Sequence, residues 1–233
     1  LDRAAVWAEP ALRAAALHTF ALAATAATLT IAAGLVMVYG ARNSSNALPR
    51  LLAPFTQIGY ATPGAVIAVG ILVPFAALDH RLADAILALT GRDPGLLVTG
   101  SAAAIVLAYL VRFFAVAQGG VESALARVTP SMDMAARSLG RTPFGVLRSI
   151  HLPLARGSIL TAAILVFVDA AKELPATLIL RPFNFDTLAT LTHTEASLER
   201  LGAAAPGALA IVALGLLPAI ILRRSSASPA RRA

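Results

Sequence analysis

Cysteine is absent from the 233-residue chain, and lysine occurs once, as Lys172. The lack of cysteine excludes disulfide bonds, thiolate metal sites and cysteine nucleophiles. A nucleotide-binding phosphate loop needs Gly-Lys followed by Ser or Thr, whereas Lys172 is followed by Glu173. The four histidines lack the spacing of a zinc site (His18, His80, His151 and His193). The sequence therefore predicts no cofactor and no metal centre, and any ATP hydrolysis has to come from a partner chain.

Charged residues are also scarce, at 13% of the chain, while hydrophobic residues reach 58% and the mean hydropathy is +0.78. Soluble domains carry about 25% charged and about 45–50% apolar residues. A soluble fold of this size has no need for several apolar runs that are each long enough to cross a bilayer. The composition predicts one all-α, polytopic transmembrane bundle.

Five stretches are long enough to cross a bilayer as helices. About 20 mostly apolar residues are needed, because a rise of about 1.5 Å per residue must cover about 30 Å of hydrocarbon. The first stretch is rich in small residues, including Ala23, Ala27 and Gly34, which favours close helix packing in lipid. The second contains Pro63 and Pro74 and is predicted to be kinked. The predicted spans are Ala15–Tyr39, Ile58–Leu78, Leu96–Ala117, Ile159–Leu180 and Ala203–Leu222.

Arginines are distributed unevenly between the two sets of connections that five spans create, with eleven in one set and six in the other. Since cytoplasmic loops are enriched in Arg and Lys, the richer set is predicted to be cytoplasmic and the N-terminus periplasmic. This topology explains the net charge of +7 better than binding to nucleic acid does. The richer set is Ala41–Gln57, Gln118–Ser158 and the tail after Leu222, and the other is the N-terminal segment, Asp79–Gly95 and Arg181–Gly202.

The connection between the third and fourth predicted spans contains a helix–turn–helix segment, Pro130–Pro153, which we call the elbow. Ser131 is predicted to cap a first short helix that stops at Gly140. Pro143 suits the start of a second helix. The elbow is predicted to offer apolar residues to a partner's groove and arginines to its rim (Phe144, Val146 and Leu147; Arg141 and Arg148).

The elbow resembles the cytoplasmic loop of ABC importer permeases, in which Glu-Ala-Ala, three residues, Gly, nine residues and Ile-x-Leu-Pro follow one another. Met134 stands where that family often has Glu, which leaves any carboxylate role there in question. The resemblance implies a type I permease core with about five spanning helices and a coupling helix that docks on an ABC ATPase. The expected coupling residues are Ala135, Ala136, Gly140, Arg141, Phe144, Ile150, Leu152 and Pro153.

Three ionisable residues, Asp169, Lys172 and Glu173, interrupt the fourth predicted span. Charged groups at that depth cost about 2.5–3.5 kcal/mol each and usually face a bundle interior or a water path. Their spacing allows all three to share one helix face, although Pro175 disfavours a continuous helix at Leu174. Two interpretations stay open: a carboxylate-lined part of a translocation path suited to a hard cation such as Fe(III), or an ion pair that fixes helix packing.

The run Lys172–Thr190 resembles ferric-iron permeases in particular, and so do Gly59–Gly64 and Ala108–Phe113. In that family two such halves are fused, and this chain resembles the second half from about His18 to Arg224. The resemblance implies import of ferric iron by alternating access. The implied partners are an ABC ATPase homodimer, a periplasmic iron-binding protein, a second permease half and membrane lipid, with no nucleic acid.

The predicted layout is that of a multi-pass protein of the bacterial inner membrane. A periplasmic segment at 1–14 precedes a type 1 transmembrane domain at 15–224, which contains a coupling loop at 118–158, and a basic cytoplasmic tail follows at 225–233. Three alternatives stay open. They are a related permease for sulfate, thiamine or a polyamine, a membrane-embedded enzyme that uses Asp169 and Glu173 as acid and base, and a scaffold that transports nothing.

Overall fold

A computed structural model describes residues 7, 9–43 and 48–226, and every regular element in this part of the chain is helical. Residues 1–6 and 8 of the predicted segment at 1–14, and residues 227–233 of the basic tail, lie outside the described residues. The helices are α1 Pro10–Asn43, α2 Leu48–Ala61, α3 Gly64–Thr90, α4 Ala102–Leu125, α5 Pro130–Ser138, α6 Pro143–Val146, a π-helical turn Leu147–His151, α7 Leu152–Ala171, α8 Pro175–Leu180, α9 Leu188–Ser197 and α10 Leu201–Ser226.

The predicted membrane bundle is confirmed. Over the described residues, four helical stretches are long and apolar enough to cross a bilayer, and α10 adds a shorter apolar stretch at Leu201–Leu216. The elbow helix α6, the π turn and α7 form one of the four as a continuous helical stretch. The four are Pro10–Asn43, Gly64–Thr90, Ala102–Leu125 and Pro143–Ala171.

The boundaries of the second and third spans differ from the prediction. The second is divided at Pro63, where α2 ends and α3 begins, while α3 continues through Pro74 to Thr90. The predicted loop Asp79–Gly95 is therefore mostly helix. Asp79 is fully buried there. Its carboxylate accepts hydrogen bonds from the backbone N–H of Val98 and from the hydroxyl of Thr99, which compensate for the loss of water.

The two connections around the fourth span are also more helical than predicted. The third span, predicted at Leu96–Ala117, is shifted along the chain: α4 begins at Ala102 and continues to Leu125, into the predicted coupling loop. The predicted loop Arg181–Gly202 contains α9, which Thr187 caps by accepting a hydrogen bond from the backbone N–H of Thr190. The fourth span itself ends early, because α7 stops at Ala171.

Helices α1, α4 and α7 pack against one another and form the core, in which alanine predominates. The predicted use of small residues in α1 is confirmed, since Ala23 and Ala27 are buried. A β-carbon added at Gly34 would lie 3.5 Å from the backbone of Ala117 on α4. At Gly120 it would lie only 2.3 Å from the β-carbon of Ala162 on α7. Small side chains thus allow the three helices to approach closely in an apolar solvent.

The opposite end of α1 from the elbow is fixed to the connection between α8 and α9. The ring of His18 stacks on Phe185 at 4.0 Å, and its Nδ1 donates to the carbonyl of Asp186 at 2.9 Å. The hydroxyl of Thr19 accepts from the backbone N–H of Leu188 at 2.8 Å. Helix α1 is therefore held at one end by this connection, while its other end lies at the elbow.

Candidate functional site: the elbow and a polar cavity

The elbow turns at Gly140, as predicted. Gly140 has φ of +76°, a left-handed conformation that favours glycine because other residues have a β-carbon that clashes there. Its N–H donates to the carbonyl of Arg137 at 2.9 Å, and the N–H of Arg141 donates to that of Ala136 at 3.1 Å. These bonds satisfy carbonyl groups that the end of α5 would otherwise leave unpaired.

The helix starts of the elbow are confirmed in one case and wrong in the other. Pro143 begins α6, and the hydroxyl of Thr142 accepts from the N–H of Gly145 at 3.2 Å. Ser131 does not cap α5, because that helix begins one residue earlier, at Pro130, after Thr129. Proline suits this first position because its missing N–H has no partner within the helix in any case.

The solvent-exposed surface of the elbow includes large apolar side chains. Phe144 is 71% exposed, in agreement with the prediction, and Leu139 is 83% exposed beside the turn. Met134 is also exposed. Val146 was predicted to be available to a partner, but it is fully buried because it faces the bundle. Leu139 and Met134 were not among the predicted docking residues, although the position of Leu139 next to Gly140 was an available signal.

The remaining predicted coupling residues divide between the two faces of the elbow. Ala136 is buried, and Ile150 and Leu152 are partly buried, so these three attach the elbow to the bundle. Ala135, Arg141 and Pro153 are exposed. The motif therefore combines residues that shape the elbow with residues that form its surface.

The three ionisable residues near the end of α7 do not share one helix face, because the helix ends at Ala171. Asp169 and Lys172 form an ion pair at 2.8 Å, with 22% and 60% of their side chains exposed. Glu173 lies beyond the helix, is buried, and pairs with Arg112 of α4, whose Nε lies 2.9 Å from its carboxylate. Arg112 was not among the residues predicted for this site.

Arg112 and Glu173 lie at the broken ends of three helices. The guanidinium of Arg112 donates to the carbonyl of Thr62, at the end of α2, at 2.6 Å. The carboxylate of Glu173 accepts from the N–H of Ala176, at the start of α8, at 3.2 Å. It also lies against Gly64 at the start of α3, where an added β-carbon would be 2.3 Å from its Oε1. A cation at a helix C-terminus and an anion at helix N-termini are both favourable.

A cavity of about 460 Å³ brings these charges together. Its two cations and two anions are already paired with each other. Within the described ranges, no group of three or more His, Asp or Glu side chains is placed to hold a metal ion. The cavity is lined by Tyr60, Arg112, Phe113, Asp169, Lys172, Glu173, Leu174 and Pro175.

Several residues in the run Lys172–Thr190 form hydrogen bonds or ion pairs that hold the fold together. The hydroxyl groups of Tyr109 and Thr177 are 2.6 Å apart and link α4 to α8. Asp186 pairs with Arg181 and accepts a hydrogen bond from Thr190 at 3.0 Å. These contacts fix the path of the chain between α8 and α9.

The described residues form an α-helical membrane bundle with interrupted helices and an exposed helix–turn–helix elbow. Solved structures share this fold. An inward-facing MetNI methionine ABC transporter matches with a TM-score of 0.65 and 15% identity, covering 96% of this chain and 99% of the other. An amino acid ABC transporter with histidines matches with a TM-score of 0.61 and 21% identity, covering 95% and 97%.

The chain belongs to the family of binding-protein-dependent transport system inner membrane components, whose family model matches residues 27–228. This is a family of ABC importer permeases rather than of enzymes, and the described apolar helices are those of a multi-pass membrane protein. A curated relative, the Fe(3+)-transport system permease protein FbpB 2 of Haemophilus influenzae, is 27% identical over 207 residues. The match covers 89% of this chain but 38% of that relative, so the chain spans well under half of the relative's length.

Proposed function

We propose that this chain imports ferric iron as part of a permease that is driven by a separate ABC ATPase. The similarity over 89% of the chain to a permease named for Fe(3+) transport supports the cargo. The second permease half and a periplasmic iron-binding protein complete the assembly, and the ATPase acts as a homodimer. The elbow faces the cytoplasm, the start of α1 faces the periplasm, and the chain itself does no covalent chemistry.

The exposed apolar surface of the elbow is the observation that carries the coupling role. Phe144 and Leu139 project from two short helices whose turn is fixed by Gly140. Exposed aromatic anchors that enter a partner's pocket contribute much of the energy of protein interfaces. The ATPase binds this surface, and closure of the ATPase dimer displaces the elbow, which the continuous stretch Pro143–Ala171 transmits into the membrane.

The polar cavity is a candidate part of the translocation path. Asp169 and Lys172 form the more exposed of its two ion pairs, whereas Glu173 is held among three helix ends. A hydrated, charged cargo needs polar groups at this depth, because an apolar wall offers no replacement for its water. We assign contact with the cargo to Asp169 and helix packing to Glu173.

Uptake of radiolabelled iron tests the cargo. A strain that lacks the gene is complemented with its full-length copy, and uptake of ferric iron is compared with uptake of sulfate, thiamine and a polyamine. Restoration of iron uptake alone supports the proposal. Restoration of another solute, with iron uptake unchanged, contradicts the iron assignment and leaves the permease class intact.

Co-purification tests the docking role. Phe144→Asp removes an aromatic anchor and adds a charge, so we expect the ATPase to bind about 30-fold more weakly, as for loss of about 2 kcal/mol. Arg156→Gln, at an exposed polar position near the elbow, is the control and should leave ATPase binding unchanged. Normal binding by Phe144→Asp contradicts the docking role.

A further inference from the structure

A cluster of polar side chains joins the elbow to the adjacent end of α1. His151 completes the π turn and is fully buried, and its Nε2 lies 2.6 Å from one carboxylate oxygen of Asp133 on α5. The other carboxylate oxygen of Asp133 lies 3.6 Å from the guanidinium of Arg42 on α1. The three side chains therefore connect the start of α7 through α5 to α1.

Arg42 extends this connection to the end of α4. Its two terminal nitrogens donate to the carbonyls of Leu125 and Val128, each at 2.8 Å. The last carbonyls of a helix have no partner within it, so a bidentate cation satisfies them and also suits the negative end of the helix dipole. The same guanidinium thus contacts the end of one spanning helix and the carboxylate of the elbow.

Tyr39 and Asn43 add contacts from α1 to both arms of the elbow. The hydroxyl of Tyr39 donates to the carbonyl of Pro143 at 2.6 Å, and its ring meets the ring of His151 edge-on at 5.3 Å. Arg137 on α5 donates to the amide oxygen of Asn43. The elbow is consequently held by α1 on each side of its turn.

The elbow is connected to α7 and to α1 in different ways. It is continuous with α7, because Pro143–Ala171 is one helical stretch, so displacement of Phe144 reaches α7 through the backbone. Helix α1 has no such backbone continuity with the elbow, and displacement reaches its nearest end through the side chains of the cluster. Motion of α1 together with α7 therefore requires that those side-chain contacts stay formed when the elbow is displaced.

We propose that Arg42, Asp133 and His151 are positioning residues that lock α1 to the elbow, so that α1 and α7 move together when the ATPase displaces it. This inference rests on the proposed coupling function. The carboxylate of Asp133 makes its contacts within the permease. The side chain of the next residue, Met134, is exposed on the surface. Loss of the lock leaves the ATPase docked while α1 no longer follows α7.

The test uses the complete transporter in proteoliposomes, with its ATPase and with binding protein loaded with ferric iron. The variants are Asp133→Asn, His151→Gln and Arg42→Gln, with Arg156→Gln as the matched control and Asp133→Glu as the conservative variant. Iron imported per ATP hydrolysed and co-purification of the ATPase are measured together. We expect normal co-purification but about fivefold less iron per ATP in the three variants, which corresponds to the lower end of coupling energies between sites. Asp133→Glu should retain most of the coupling.

A second arm keeps the test decisive if a single variant folds poorly. The chain has no native cysteine, so Asn43→Cys and Arg137→Cys can be joined by a bifunctional thiol reagent in the Asp133→Asn background. Cross-linking should raise iron import per ATP toward the unmodified value.

Two results overturn the lock: unchanged iron import per ATP in all three variants, or loss of ATPase binding as the whole effect. Failure of the proposed function is distinguishable. If the cargo is not iron, the transporter without substitutions imports no iron, and if the elbow does not dock, Phe144→Asp still binds the ATPase.

Discussion

The guanidinium of Arg112 and the carboxylate of Glu173 lie 2.9 Å apart on different segments, at a point where three interrupted helices meet. Arg112 belongs to the uninterrupted helix α4, while Glu173 lies in the break between α7 and α8. Through Thr62 and Ala176 the pair also binds the end of α2 and the start of α8. It therefore satisfies backbone groups that interrupted helices would otherwise leave unpaired in the membrane.

Removal of either partner of this pair should destabilise the bundle. Loss of one member of a buried ion pair costs about 3–5 kcal/mol, because the other charge stays buried without its partner. We expect Arg112→Gln and Glu173→Gln each to lower the unfolding temperature in detergent, and the double variant to lose less than the sum. Lys172→Gln, at an exposed position, is the control and should have little effect on stability. Additive losses would contradict a direct interaction between the two residues.

Gly64→Ala tests the close approach between α3 and Glu173. The new β-carbon would lie 2.3 Å from the carboxylate oxygen, so Glu173 has to move away from Arg112 or the start of α3 has to shift. Gly70→Ala on the same helix is the matched control, since nothing lies within 4 Å of its new β-carbon. Because Ala favours helix by about 1 kcal/mol over Gly, we expect Gly70→Ala to be neutral or stabilising and Gly64→Ala to be destabilising. Equal melting temperatures for the two variants would exclude this packing.

Asp169→Asn distinguishes a cargo contact from a packing contact. We expect slower iron uptake with an unchanged melting temperature, because Asp169 and its partner Lys172 line the cavity and are partly exposed. Glu173→Gln should lower both uptake and stability, since its carboxylate holds helix ends together. If Asp169→Asn transports iron at the normal rate, its ion pair serves packing only.

Gly140→Ala tests the turn of the elbow. A non-glycine residue in the left-handed conformation costs about 1–2 kcal/mol, and the strain falls on the two short helices that present Phe144. We expect weaker stimulation of the ATPase by loaded binding protein. Gly157→Ala should leave stimulation unchanged, because Gly157 lies within α7 and its added β-carbon meets nothing within 4 Å. An elbow that tolerates Gly140→Ala without loss would not need this turn geometry.

Features that depend on neighbouring residues in the chain could be predicted from the sequence. Pro63 and Pro175 mark real interruptions, because proline lacks the N–H that a helix needs and restricts the residue before it. Gly140 ends α5 for a similarly local reason. The small residues of α1 also predicted that this helix packs closely against its neighbours, because small side chains can be read directly from the sequence.

Features that depend on tertiary contacts could not be predicted. Arg112 lies on α4 and Glu173 in the break between α7 and α8, and nothing in the local sequence pairs them. Asp79 is of a residue type that is common in loops. In the structure the backbone N–H of Val98 donates to its carboxylate, and α3 continues past it. Val146 is an apolar residue close to Phe144 in the sequence and was therefore predicted to dock on a partner, but in the fold it is buried against the bundle. Burial in each case follows from packing between distant segments.

Accessibility of residue 141 tests most directly whether the elbow faces the cytoplasm and docks on the ATPase. The chain has no cysteine, so Arg141→Cys introduces one reactive thiol on an exposed position of the elbow. A membrane-impermeant maleimide should label it in inside-out vesicles and not in right-side-out vesicles, and bound ATPase should protect it. Labelling in intact right-side-out vesicles would place the elbow in the periplasm and contradict the coupling role.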